Sequence, residues 1–194
     1  MKKIGIIAGI VLLTLAAGCG GNKDYDKNII TISKNGSVDE TIQEAFDESI
    51  YNKEDLLASI DAEVSSYNSD SGQESVELKK CKVKDGVASV KMTYDTASDY
   101  ASFNHVGLYH GPVTEFVESE YHAYADLKDR DGEITPLSSI VASGKDYYIV
   151  ALDMDCIVEV KGTICFVSDG VELISKKTAD VTVNDEAYAY IVYK

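Results

Sequence analysis

From Val76 to Lys84, and again from Val87 to Tyr94, apolar and polar residues alternate on either side of Asp85-Gly86. A period of two puts alternate side chains on opposite faces of a strand, and Asp-Gly tolerates the positive φ angles of a tight turn, so this stretch predicts a β-hairpin. A hairpin is marginal by itself and needs more strands, or a helix, on its apolar face. The rest of the chain offers both.

Ile29-Ile30-Thr31-Ile32-Ser33 is rich in β-branched residues and runs into Lys34-Asn35-Gly36, which predicts another hairpin returning through Ser37 to about Phe46. On the return, Val38, Ile42 and Ala45 or Phe46 fit a helical spacing as well. Asn52 followed by Asp55 resembles a capping box. Leu56, Leu57, Ile60, Val64 and Tyr67 then recur at helical spacing, with Asp61, Glu63 and Ser65 on the other face, which predicts an amphipathic helix over 53–68. Thr96 with Asp99 suggests the cap of a short helix through Tyr100 and Phe103, and 105–112 reads as irregular connection. Strand-like segments follow at 113–116, 121–127, 147–152, 156–167, 171–182 and 187–193, with a single-turn helix started by Thr135-Pro136. Gly162 fits either a turn or a bulge in one long strand. The expected fold class is α+β, a mostly antiparallel sheet with one principal amphipathic helix packed on it; the pattern does not specify strand order.

The amino terminus carries an address. Met1-Lys2-Lys3 is a short basic region, and Ile4 to Gly18 carry no charge, the layout of an export signal. A membrane span needs about 20 apolar residues, more than this run supplies. Leu15-Ala16-Ala17-Gly18-Cys19, leucine followed by small residues and then cysteine, resembles the lipobox of bacterial lipoproteins. That resemblance implies that residues 1–18 are a signal peptide, that a diacylglyceryl group is attached to the sulfur of Cys19, and that cleavage falls just before it. Two acyl chains suffice as an anchor, at about 0.8 kcal/mol per buried methylene. Residues 19–28 then form the lipidated cysteine and a polar, glycine-containing tether, and 29–194 one domain.

Without residues 1–18 the 18 basic and 33 acidic side chains become 16 and 33, a charge of −17. Such acidity disfavours nucleic acid and anionic lipid headgroups as partners. Cys81, Cys156 and Cys165 remain, an odd number with no C-x-x-C, and three buried thiols are expected rather than a disulfide framework.

Candidate chemistry is sparse. Asp126, Asp129 and Asp131 precede Gly132-Glu133-Ile134 and resemble the middle of an EF-hand calcium loop, where clustered oxygens suit a hard cation. In that register Leu127 and Ser138 stand where the first carboxylate and the bidentate glutamate belong, so a charged turn with Asp131-Gly132 at its tip is the competing reading. His105, His110 and His122, with Glu115, Glu118 and Glu120, match no metal-binding spacing. Neither a nucleophile motif nor a phosphate-binding glycine motif is present, so the expectation is a non-enzymatic protein without a cofactor. The 13 tyrosines, among them Tyr94, Tyr100, Tyr109, Tyr121, Tyr124, Tyr147 and Tyr148, suit either a glycan- or peptide-binding platform or half-buried strand packing.

The whole layout, from lipobox and tether through hairpin, helix and strands to Ala189-Tyr190-Ile191-Val192-Tyr193-Lys194, is similar to small uncharacterised lipoproteins of Gram-positive bacteria. It implies a location on the extracytoplasmic face of the cell membrane. The function expected is a binding or interaction module whose partner is a cell-envelope protein or glycan. The alternatives are a solute or cation receptor using Asp126, Asp129 and Asp131, and an envelope hydrolase with dispersed site residues.

Overall fold

A computed structural model describes residues 27–116, 119, 125–183 and 188–194. The expected signal peptide, Cys19 and most of the expected tether lie outside the described residues. Strand β1 (Ile29–Ile32) pairs antiparallel with β2 (Val38–Ala45) from Ile32↔Val38 to Ile29↔Thr41, with Gly36 at φ 91° in the connecting loop. Helix α1 (Lys53–Ser71) starts where the side chain of Asn52 accepts the Glu54 N–H at 2.7 Å, and ends at Gly72, which is left-handed at φ 71°. Strands β3 (Val76–Lys84) and β4 (Val87–Tyr94) form the expected hairpin. Asp85 at φ 53° and Gly86 at φ 76° both take the positive angles that a twisted two-residue turn requires. Helix α2 (Ala97–Asn104) is capped by the Thr96 hydroxyl, which accepts the Asp99 N–H at 3.0 Å.

Beyond α2 several expectations are corrected. The segment 108–112, expected to be irregular, is strand β5 (Leu108–Pro112), whereas 113–116, expected to be a strand, is a single helical turn, α3 (Val113–Phe116). Pro112 lacks an N–H and closes an edge strand, and Val113 and Phe116, three apart, bury themselves on one side of a turn. Strand β6 (Asp126–Asp129) replaces the later part of the expected 121–127 strand, and residues 120–124 lie outside the described residues. Thr135 and Pro136 belong to β7 (Ile134–Pro136). The helix that follows, α4 (Leu137–Ala142), has Pro136 at its N-cap without a side-chain capping bond. The expected strand over 156–167 is divided between β9 (Cys156–Val160) and β10 (Ile164–Val167), and that over 171–182 is a hairpin of β11 (Val171–Leu173) and β12 (Thr178–Val181). Strands β8 (Tyr148–Leu152) and β13 (Ala189–Tyr193) stand close to where the pattern puts them.

The described strands make two sheets, a seven-stranded one in the order β11-β12-β9-β1-β2-β4-β3 and a six-stranded one in the order β5-β8-β13-β10-β6-β7. Their pairings are antiparallel except that of β1 with β9. Gly162 is thus neither a hairpin turn nor a bulge; it is where the chain leaves one sheet for the other. A Cβ there would lie 2.3 Å from the Lys194 carbonyl oxygen, and Thr163 exchanges backbone hydrogen bonds with Lys194 at 2.7 and 3.1 Å, so only glycine fits the crossing. Cys165 consequently does not face Val158, and Cys81, Cys156 and Cys165 are free thiols. Cys156 is buried, whereas Cys81 and Cys165, expected to be buried, are only half-buried.

Ile30, Ile32, Val158 and Val160 of the first sheet meet Val150, Leu152, Ile191 and Tyr193 of the second in a common core. The opposite face of the second sheet, with Ile149, Ala151, Tyr190 and Val192, is covered by Phe116 of α3 and Leu137 and Ile140 of α4. Burial on both faces explains the unbroken apolar run of β13, since each fully buried aliphatic side chain contributes about 1.5–3 kcal/mol.

The end of α1 is clasped to the beginning of β3 by one side chain. Buried Asn68 accepts the backbone N–H groups of Ser75 and Val76 at 3.1 and 3.0 Å and donates to the Val76 carbonyl at 2.8 Å. Replacing Asn68 by alanine leaves two buried N–H groups without that acceptor. Denaturant unfolding of Asn68→Ala is expected to give a stability lower by about 1–3 kcal/mol, and an unchanged midpoint would contradict the clasp.

Candidate functional site

Helix α1 leans on β3 rather than on β2 and β4. Along the helix only Ile60 and Asn68 are buried, while Leu56, Val64 and Tyr67 pack against the core with part of their surface uncovered. Under the helix lies a pocket of about 490 Å³, inside the size range of small-molecule sites. Ile42, Ala88, Val90 and Met92 from β2 and β4 form its floor; Leu56, Ser59 and Ile60 of α1 form one wall, and Phe103 and Asn104 of α2 line it as well. The loop between β2 and α1 contributes Phe46, Ile50 and Tyr51. That loop is held by Asp47: its carbonyl accepts the N–H groups of Ile50 and Tyr51, and its carboxylate accepts the Ser49 N–H and hydroxyl. Those bonds from Ser49 lower the Asp47 pKa. Ile50 and Tyr51 are nevertheless 70% and 54% exposed, two large apolar side chains left in water beside an apolar cavity.

A buried polar cluster stands behind the pocket. Glu40, only 3% exposed, projects from the core face of β2 opposite Ile30 and Met92. Its carboxyl accepts the Tyr94 hydroxyl at 2.8 Å and the Tyr100 hydroxyl at 3.1 Å. Asn104 donates to the Tyr94 oxygen at 3.3 Å and to the Tyr100 carbonyl at 3.1 Å. Because Tyr94 and Asn104 also line the pocket, the cluster ties its inner wall to β2 and α2. Burial pushes the Glu40 carboxyl above its ordinary range, opposed by the two tyrosine hydroxyls that bond to it. Burial, followed by the charge of Glu40, also pushes both tyrosine hydroxyls upward, so they remain protonated donors.

The residues singled out from the sequence lie elsewhere. Asp129 ends β6, and one of its carboxylate oxygens accepts the N–H groups of Asp131 and Glu133, each at 2.9 Å, which shapes the tip of the β6–β7 hairpin. Asp126 is exposed on β6 and Asp131 is exposed in the turn. Among the described residues no three histidine, cysteine, aspartate or glutamate side chains come together as a metal-binding group. His105 is the left-handed C-cap of α2, at φ 56°. His110 is half-buried on β5, 2.7 Å from the Tyr193 hydroxyl and stacked on Tyr148, and burial lowers its pKa. Glu115 is exposed on α3, while Glu118, Glu120, Tyr121, His122 and Tyr124 lie outside the described residues. Tyr94, Tyr100 and Tyr147 are interior residues and Tyr109 and Tyr148 half-buried ones, so these five form no open platform.

The pocket and Glu40 escape a motif search because neither is a motif. Their signal is the alternation Val38, Glu40, Ile42, which puts a carboxylate in phase with core-facing apolar residues.

The raised pKa of Glu40 has a signed consequence. The folded protein holds this proton more tightly than the unfolded chain, so the stabilisation is complete below about pH 4.5, the ordinary value, and is lost as pH rises through the folded-state value. Measured as a difference in unfolding free energy, wild type minus Glu40→Gln should fall as pH is raised above 4.5; a flat or rising difference would contradict the assignment. No family model, curated protein or solved structure matches the chain, so the reading of this site stands on its own geometry.

Proposed function

We propose that this protein is a lipid-anchored binding module on the extracytoplasmic face of the membrane, and that it holds an apolar ligand in the α1 pocket without transforming it. The observation that carries the reading is the pocket: a cavity of about 490 Å³ with an aliphatic and aromatic interior, flanked by exposed Ile50 and Tyr51. An exposed apolar surface in a strongly acidic chain costs solubility and is expected where something binds.

Support for the anchor comes from the lipobox-like residues Leu15 to Cys19. Asn28 lines the pocket and stands nine positions after Cys19, so a fully extended chain would put the pocket at most about 32 Å from the lipidated sulfur. On this reading the site works within reach of the bilayer surface, where apolar and amphiphilic molecules are concentrated. Among the described residues no helix is long and apolar enough to cross a membrane, and the diacylglyceryl group would serve as the anchor.

Two experiments test the two halves separately. Ser59 sits on α1 and lines the cavity, so Ser59→Trp fills it from the helix side. An apolar fluorescent dye is expected to bind the wild type and to lose at least tenfold in affinity for Ser59→Trp, with Ala88→Leu giving a smaller loss from the sheet side. Equal binding by all three would overturn the pocket reading. For the anchor, metabolic labelling with a radioactive fatty acid is expected to label the wild type and not Cys19→Ser. Labelling of Cys19→Ser, or none of the wild type, would overturn the lipoprotein reading.

A further inference from the structure

The lining of the α1 pocket divides by chemistry. Its interior is apolar, yet three carboxylates, Glu44 of β2 and Asp55 and Glu63 of α1, also line it, and no lysine or arginine does. Glu63 and Asp55 are eight residues apart, about 12 Å along the helix, so with Glu44 they are spread around the pocket and do not converge on one point. Among the described residues none of these three carboxylates has an ion-pair partner, although five lysine–carboxylate pairs form elsewhere. Three formal negative charges around an apolar cavity would repel a fatty acid or an anionic lipid. Their complement is a molecule with an apolar body and a positive end.

We infer that the pocket takes an amphiphilic organic cation, its apolar body lying between α1 and the β2–β4 floor and its ammonium or guanidinium group at the rim, in the combined field of Glu44, Asp55 and Glu63. This rests on the pocket being a ligand site, and adds to that reading the class of ligand. Burial of the apolar body supplies most of the affinity. The carboxylates supply selectivity: Asp55 is exposed and Glu44 and Glu63 only half-buried, so together they are worth on the order of tenfold in affinity, and salt should weaken their effect. The net charge of −15 adds a diffuse attraction for any cation, which a test must separate from the carboxylates themselves.

Three probes with one eight-carbon body make that separation: octyltrimethylammonium, octyl glucoside and octanoate, each titrated calorimetrically into the full-length protein below its micelle concentration. The cation is expected to bind on the order of tenfold more tightly than the neutral glucoside, and octanoate more weakly than either. In the variant Glu44→Gln/Asp55→Asn/Glu63→Gln the cation and the glucoside should bind nearly alike. The variant Asp131→Asn/Glu133→Gln/Glu172→Gln, which removes the same number of charges at exposed positions away from the pocket, should keep the preference. Equal binding of cation and glucoside by the wild type, or a preference that survives the pocket variant or disappears in the distant one, would overturn the inference and leave the pocket reading intact. If none of the three probes binds, the glucoside included, the pocket reading fails and the inference with it.

Discussion

Asn68 is the constraint on which the arrangement of the site depends. One amide side chain near the end of α1 satisfies both N–H groups at the entrance to β3 and one carbonyl, and so fixes the helix to the outermost strand of the seven-stranded sheet. A helix centred over β2 and β4 would have buried its whole apolar stripe. With α1 leaning on β3, Leu56 and Val64 stay partly uncovered, and Val90 and Met92, which belong to the common core, also form the floor of a cavity. The Glu40–Tyr94–Tyr100 cluster holds the opposite wall through two bonds to one carboxyl, so the cavity is bounded by fixed elements on both sides.

The remainder of the protein gives that arrangement a stable base. Sharing one core, the two sheets bury β8, β9 and β13 almost completely, and the crossing between them at Gly162 is closed by the last residue of the chain. The second sheet is covered on its far face by α3 and α4.

Much of the fold is legible because local chemistry and tertiary packing agree. Asp85-Gly86, the Asn52 and Thr96 caps and the alternation of β4 all act through their immediate neighbours, and each does in the structure what its residue type favours. The misreadings at 156–167 and 171–182 share one cause, apolar runs whose partners are distant. At 156–167 and 171–182 strand propensity is continuous while the chain turns or changes sheet. At Val113 and Phe116 a spacing of three resembles a strand end until burial on one side identifies a turn. One visible signal has a physical meaning that alternation alone does not convey. In β3 the inward residues are Val76 and Leu78, then Cys81 and Val83, and this slip of phase marks the bulge at Lys79. As for the site, Glu40 is visible as a carboxylate in phase with core residues, whereas the pocket depends on where α1 lies across the sheet, which no short spacing encodes. Asp126, Asp129 and Asp131 attract notice as a cluster of oxygens, but the carboxylate of Asp129 bonds to the backbone of its own turn.

On the proposed reading, function lies in a gap between secondary-structure elements, with affinity from an apolar interior and selectivity from the carboxylates around it. Methyl-resolved NMR of the protein titrated with octyl glucoside tests that claim most directly, because it reports where the apolar body goes. The account predicts shifts confined to the methyl groups of Ile42, Leu56, Ile60, Val90 and Met92, with Ile149 and Val192 in the second core unmoved. Shifts centred instead on the exposed Ile134, Leu173 or Ile174, with the pocket methyls unchanged, would contradict it.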